Sequence, residues 1–457
     1  MIDARVVFLT HYIPLYQVRV LQSIAASVRD FHVLVSTPIE PNRDFAPDWS
    51  GLNVTVQNTW TLRRQWHHRG EDGFSDSLYV HIPYDTGKKL RSLAPDVVMS
   101  LELGARSVGA ARFCRRHPRS KLILCTYMSQ RTEQFRGRTR HWLRKRLVKS
   151  ADGITYNGPS CQNYLRSLGV DENRLFHLPY AADDRTLYRG PLQRDESNVR
   201  RRLIVVGQLS NRKGIVPLID HVADYLRRHP DRRAELWFAG DGPERDRATS
   251  RPIPPNMTLE MLGNVPAGRL GQLMSTCGAM VAPTLADEWM LAVNEGLHAG
   301  LPVIGSVHSQ AVTTLVRDGH NGWRYEPSDQ TKLDRALDAY FSLSDVDLAA
   351  MRQRCRDSVA HCSPDWAASG GIDAIASVVG ETAHSDSPPS QTSSDREPPD
   401  RPVDPGRTVS AVDSDCQPTS ATRNIVSHST LSDGPYRHDS PSIQWTGRGM
   451  PSTRRFS

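Results

Sequence analysis

The sequence predicts an α/β protein of two domains, each built on a parallel sheet, followed by a disordered tail. Three observations predict it. Short apolar runs alternate with helix-length amphipathic segments through the first 180 residues, which is the pattern of βαβ units. The alternation stops in the polar stretch Asp183–Asn198, read as a linker, and restarts after it. From about Glu381 the apolar periodicity is gone and Ser, Pro, Asp, Thr and Arg dominate.

In the first half, Arg5–Leu9 reads as a buried strand, and Leu15–Val28 has helical spacing through Val18, Leu21, Ile24, Ala25 and Val28. Phe31–Ser36, Asp96–Ser100, Lys121–Cys125 and Gly153–Tyr156 are further strands. In the second half the strands are Arg202–Val206, Ala234–Ala239, Thr258–Leu262, Ala279–Pro283 and Pro302–Ile304. Helices fall between them at Ile215–Arg228, Ala267–Ser275, Leu291–Ala299 and Lys332–Phe341. No sequence repeat links the halves. The tail, 381–457, cannot bury enough apolar surface to offset its chain entropy.

The chain of 457 residues carries a formal net charge of +7. The segment after Ala383 holds nine acidic and eight basic residues, so the positive excess belongs to the folded part. A basic folded region favours anionic partners such as nucleotide phosphates, lipid headgroups or nucleic acid. The seven cysteines are scattered without a CxxC pair, which suggests neither a disulfide framework nor a zinc site. The amino-terminal apolar run Val6–Leu9 is too short for a signal segment, and no run of 18 apolar residues occurs. A cytoplasmic location is expected.

Three segments can carry chemistry. Gly207-Gln208-Leu209-Ser210-Asn211-Arg212-Lys213-Gly214 joins a strand to a helix through a glycine turn with two cations. Backbone N–H groups at a helix start, with Lys or Arg beside them, hold phosphate; the same residues also suit a plain strand–helix turn. Gly240-Asp241-Gly242-Pro243 follows another strand and allows close backbone approach, or a capped tight turn. In Asp287-Glu288-Trp289-Met290-Leu291-Ala292-Val293-Asn294-Glu295, carboxylates flank a helix start. They can accept hydrogen bonds from sugar or ribose hydroxyls, or simply cap the helix.

The order of these blocks, with Asp318-Gly319-His320-Asn321-Gly322 after them, resembles the retaining glycosyltransferases of the GT-B fold, glycosyl transferases group 1 or family 4 type. The resembling segment runs from about Arg202 to Trp323, with weaker similarity over Asp152–Tyr180. The resemblance implies two Rossmann-like domains facing across a cleft. Residues 1–185 would form the acceptor domain and 199–365 the donor nucleotide-sugar domain. A helix over 366–380 would pack back on the first domain.

The resemblance also implies roles. Lys213 matches the cation that holds the donor diphosphate, and Glu295 the carboxylate that binds ribose. Asp287 stands at the first acid of the E-x7-E pair that contacts the donor sugar, with Glu288 beside it; these two and Lys213 are the catalytic candidates. Gly207, Arg212, Gly240, Asp241, Val265, Met290 and Leu291 complete the expected donor site. No metal or other cofactor is expected, because the cations stabilise the leaving diphosphate. The chain departs from the pattern at Asp287 (for Glu), Met290 (for Gly), Gln208 (for an Arg that Arg212 replaces) and Thr10–Tyr16 (for a double-glycine loop). The implied activity is retaining hexosyl transfer from a nucleotide-diphosphate sugar to a glycan or lipid-linked acceptor. A non-catalytic sugar-nucleotide-binding protein is the alternative that Met290 and Asp287 favour.

His11 and Glu133 are placed to contact acceptor or donor sugar, or to be structural. Arg136–Lys149 interleaves seven cations with Trp142, Leu143, Leu147 and Val148, which suits peripheral contact with an anionic membrane at its inner face or a solvated helix. No nucleic-acid-binding module is present, and none is expected as a partner.

Overall fold

The computed structural model describes residues 1–41, 46–68, 73–134 and 137–380; the tail expected to be disordered, 381–457, lies outside the described residues. Among the described residues of the first half lie nine strands: β1 (Ile2–Thr10), β2 (Val28–Val35), β3 (Asn53–Val56), β4 (Thr59–His68), β5 (Phe74–Pro83), β6 (Val97–Leu101), β7 (Lys121–Cys125), β8 (Gly153–Tyr156) and β9 (Leu175–His177). Seven of them form one sheet in the order β3-β2-β1-β6-β7-β8-β9, with every pairing parallel. The second half holds β10 (Arg202–Val206), β11 (Ala234–Ala239), β12 (Met257–Gly263), β13 (Ala279–Ala282), β14 (Val303–Ser306) and β15 (Gly322–Tyr325). They form a second parallel sheet, ordered β12-β11-β10-β13-β14-β15. Both sheets are covered on their two faces by helices, which is why their central strands read as unbroken apolar runs.

In each sheet the chain leaves the first strand to one side and later returns to the other. The switch lies between β1 and β6 in one sheet and between β10 and β13 in the other. Loops at the carboxyl ends of those strands diverge there and leave a crevice for a ligand. The sheet orders thus place the loops after β10 and β13 together before any side chain is considered.

The strands expected from the sequence appear with ends within three residues of their places, β1 and β2 each starting three residues early. The antiparallel β4–β5 hairpin, β3, β9 and β15 are additions. The hairpin was illegible because β4 is exposed along most of its length and so lacks an apolar face. The linker Asp183–Asn198 departs from the irregular polar stretch expected. Arg185 binds Asp183 at 2.6 Å, residues Glu196–Val199 form a helical turn, and Glu196 is buried. Its carboxylate takes two hydrogen bonds, at 2.7 and 2.8 Å, from Arg352, which has no exposed surface. Arg352 also donates to the carbonyls of Gly278 and Gly300, so both charges are paired and hydrogen-bonded.

The last described helix, Pro364–Val379, returns to the first domain. Its Ala367, Ala368, Ala374 and Ile375 share one core with Val18, Leu21 and Ile24 of helix Leu15–Ser27 and with β1 and β6. Contact is close enough that a Cβ at Gly370 would stand 1.6 Å from the His177 carbonyl oxygen. Among the described residues no helix is long and apolar enough to cross a membrane.

Candidate active site

The loop after β10 is shaped by glycines. Gly207 adopts φ 136° and its N–H donates to the Ala239 carbonyl at 3.0 Å. Gly240 adopts φ 150°, and a Cβ there would lie 2.0 Å from the Gly207 carbonyl oxygen. The two glycine segments are bound to each other: Leu209 N–H donates to the Asp241 carbonyl (3.0 Å), and Glu244 N–H to the Leu209 carbonyl (2.9 Å). The Asp241 side chain turns to Gly242 N–H (2.7 Å) and Arg245 (3.2 Å), so Asp241 serves the turn and not the cation cluster. After the turn Asn211–Lys213, Gly214 takes φ 67°, and a Cβ there would meet the Pro283 carbonyl oxygen at 2.2 Å, so the position requires glycine. Helix Ile215–Arg228 follows.

This loop is locked to the one after β13. Leu285 N–H and the Thr284 hydroxyl both donate to the Arg212 carbonyl, at 2.9 and 3.2 Å. The Arg212 guanidinium donates to the Ala286 carbonyl at 2.8 Å and stands 3.4 Å from the Asp287 carboxylate. Lys213 Nζ pairs directly with the same carboxylate. Burial alone would raise the Asp287 carboxyl, but the Lys213 and Arg212 charges outweigh it and hold the group at about 2. The structure therefore brings Lys213, Arg212 and Asp287 together, with Arg212 in the cluster and Gln208 part-exposed nearby in the chain.

Beyond Asp287, the Trp289 N–H donates to its Oδ1 at 3.3 Å, and the Trp289 carbonyl accepts from Ser309 Oγ (2.7 Å) and Ala311 N–H (3.0 Å). Met290 then adopts φ 74°, a left-handed conformation that costs a non-glycine residue on the order of 1–2 kcal/mol. The backbone thus keeps the shape of a glycine position although the residue is Met. Leu291 caps helix Ala292–His298, and Glu295 sits in its first turn. Glu295 lines a narrow cleft, with free space of only about 10 Å³, together with Ala267, Leu270, Gly271 and the segment Thr186–Tyr188. Burial, and then the nearby Asp183, push the Glu295 carboxyl up to about 7. Val265 is partly buried against the same apolar cluster as Leu270.

Contacts from the first domain reach this site, and the sequence reading did not contain them. Asn157 Nδ2 donates to the Glu288 carbonyl at 2.8 Å, and the Tyr127 carbonyl accepts at 2.8 Å from Gln310 Nε2 of the second domain, which also approaches the Glu288 carboxylate at 3.5 Å. Glu288 therefore faces the domain boundary, whereas Asp287 faces the cations. Arg131 Nε donates to the Leu285 carbonyl at 3.0 Å, and the Tyr180 and Trp289 rings stack at 5.9 Å. From the hairpin, Asp76 accepts from the Ser210 hydroxyl at 3.1 Å and from Arg212 Nε at 3.4 Å.

His11 lies at the end of β1, in edge contact with Tyr12. Glu133 is paired with Arg144, which also donates to the Tyr164 hydroxyl at 3.2 Å. Arg144 departs from the basic face expected of Arg136–Lys149: it is buried on the same inward side as the apolar Leu147 and Val148. The helix is Arg138–Lys149, and Arg136 lies outside the described residues. Its exposed face carries Arg138, Arg140, Trp142, Lys145, Arg146 and Lys149.

Residues 200–342 match the family model described as glycosyl transferases group 1, and residues 16–181 match that of the glycosyl transferase 4-like domain. No curated protein matches the sequence. Among solved structures, HepE of Anabaena in complex with UDP aligns with TM-score 0.61 at 16% identity, over 82% of this chain and 100% of that one. Sucrose-phosphate synthase of Thermosynechococcus elongatus aligns with TM-score 0.60 at 15% identity, over 82% and 99%. The lipopolysaccharide outer core galactosyltransferase WaaB aligns with TM-score 0.59 at 12% identity, over 82% and 99%. These likenesses show the GT-B fold.

Proposed function

The chain belongs to the group 1 glycosyltransferases, and from that premise we propose that it transfers a sugar with retention from a nucleotide-diphosphate donor to a glycan or lipid-linked acceptor. The observation that carries this reading is the Lys213–Arg212–Asp287 cluster, set on glycine-shaped loops at the switch point of the second sheet. HepE, which shares the fold, was crystallised with UDP-glucose.

In this reading the bond between the anomeric carbon and the diphosphate oxygen breaks while an acceptor hydroxyl attacks the same face. The hydroxyl proton passes to the departing diphosphate. Lys213 and Arg212 stabilise the charge that grows on the diphosphate, and the amino-terminal end of helix Ile215–Arg228 adds its dipole. Those cations supply what a metal would otherwise supply. Asp287 orients Lys213 and, with Glu288, meets donor-sugar hydroxyls. Glu295 receives the ribose, Val265 the base, and the backbone at Gly207, Gly240, Met290 and Leu291 gives close approach. The enzyme would work in the cytoplasm, with the exposed basic face of Arg138–Lys149 against anionic lipid.

Calorimetric titration with a panel of nucleoside diphosphates and their sugars tests the reading, with Lys213→Ala and Glu295→Ala alongside. One nucleotide should bind saturably and lose its site in both variants. Proton NMR of the product should show the donor's anomeric configuration. Binding without release of nucleoside diphosphate in the presence of acceptors would turn the reading towards a non-catalytic sugar-nucleotide binder.

A further inference from the structure

Asp76 belongs to the first domain, on β5, yet it binds the loop of the second domain that carries the cations. Its Oδ2 accepts from Ser210 Oγ at 3.1 Å and Arg212 Nε at 3.4 Å. The contact is shielded, with side-chain exposures of 19% for Asp76 and 21% for Arg212. Two residues before it, Phe74 is buried against Leu285 and Ala286, with Trp66 of β4 packed on the same group. The hairpin is thus anchored on the loop after β13, and its carboxylate is aimed by that anchor.

The charges decide what this contact does. Arg212 and Lys213 contribute two positive charges, and Asp76 and Asp287 two negative ones, so the cluster is formally neutral. A donor diphosphate adds about two negative charges, and it needs the guanidinium and hydroxyl donors that Asp76 holds. A carboxylate and a phosphate cannot both take the Nε edge of one arginine, and each repels the other at close range.

We propose that Asp76 is a built-in competitor of the donor diphosphate. Donor binding takes Ser210 and Arg212 from it and removes the polar part of the β4–β5 hairpin's attachment to the second domain, leaving Phe74 packed on Leu285 and Ala286. Occupancy of the donor site is thereby coupled to the hairpin. The proposal rests on the reading of the Gly207–Gly214 loop as the diphosphate site.

The test uses the full chain as wild type, Asp76→Asn and Asp76→Glu, titrated calorimetrically at fixed ionic strength with inorganic pyrophosphate and with UDP. Asp76→Asn keeps the shape and removes the charge, so it should bind both about tenfold more tightly, the size of one partly buried charge contact. Asp76→Glu should stay near wild type. Hydrogen exchange of the amides in Thr59–His68 and Phe74–Pro83 should quicken in the wild type when pyrophosphate is added. Equal or weaker binding by Asp76→Asn overturns the proposal while leaving the diphosphate site in place, as does a hairpin whose exchange is unmoved. Absence of pyrophosphate and UDP binding by all three proteins removes the diphosphate reading of the loop and the competitor with it.

Discussion

Lys213 and Asp287 are joined by an ion pair across 74 residues of chain, and the pair ties the loop after β10 to the loop after β13. Arg212 stands 3.4 Å from the same carboxylate, so two cations of the first loop meet one acid of the second.

Removing the cation should therefore cost stability as well as function. In Lys213→Ala, Asp287 keeps only the longer Arg212 pairing among these two cations, and its carboxyl should rise from about 2. Stability at pH 7 should fall by about 1–3 kcal/mol in urea denaturation. The wild-type Asp287 carboxyl lies below its ordinary 3.8, so its contribution is present above about pH 4 and is lost as pH falls towards 2. That acid-side loss should shrink in the variant. An unchanged acid limb would separate Asp287 from Lys213.

Glu295 titrates in the opposite sense. Its folded carboxyl stands at about 7, above the ordinary 4.5, so the folded protein holds a proton that the unfolded chain has released between those values. Stability from this group is full below pH 4.5 and falls as pH rises through 7. Glu295→Gln should thus be more stable than wild type at pH 8 and equal to it at pH 4.5, by thermal melting. An ionised carboxylate accepts ribose hydroxyls more strongly than a protonated carboxyl does, so nucleotide affinity of the wild type should rise between pH 6 and 8, and in Glu295→Gln it should be lower and flat.

The residues that repeat a local pattern were legible in the sequence, and those that depend on domain placement were not. Gly207, Lys213, Gly240 and Glu295 sit at strand ends or helix starts, and a strand followed by a glycine turn is a local signal. Asp76 gives no such signal, because it lies on a hairpin whose partner loop is 134 residues away. Asn157 and Gln310 act only because two sheets face each other, and nothing within a few residues of either marks that. Arg144 was misplaced for a related reason: helical charge spacing shows which residues are basic, but not that one turn meets Glu133 and Tyr164. Met290 was read as a departure from a glycine position, and its φ of 74° shows that the backbone kept what the residue type changed.

A second strained residue gives a clean test of backbone cost. Glu102, exposed at the end of β6, adopts φ 67° while its N–H donates to the Cys125 carbonyl at 2.7 Å. Its side chain is exposed, so Glu102→Gly relieves the left-handed conformation with little packing lost. The variant should gain about 1 kcal/mol in urea denaturation. A loss instead would mean that the Glu102 side chain makes a stabilising contact larger than the strain.

The helix Pro364–Val379 gives the chain a direction in time. Ribosomal synthesis delivers β1 and β6 early and the helix that covers them last. While the second sheet is being made, Val18, Leu21 and Ile24 have no alanine-rich partner, so the first-made domain waits with an uncovered apolar face. Nascent chains halted before residue 364 should expose that face to chaperones, and its burial becomes a late checkpoint on whether translation reached the far side of the second domain.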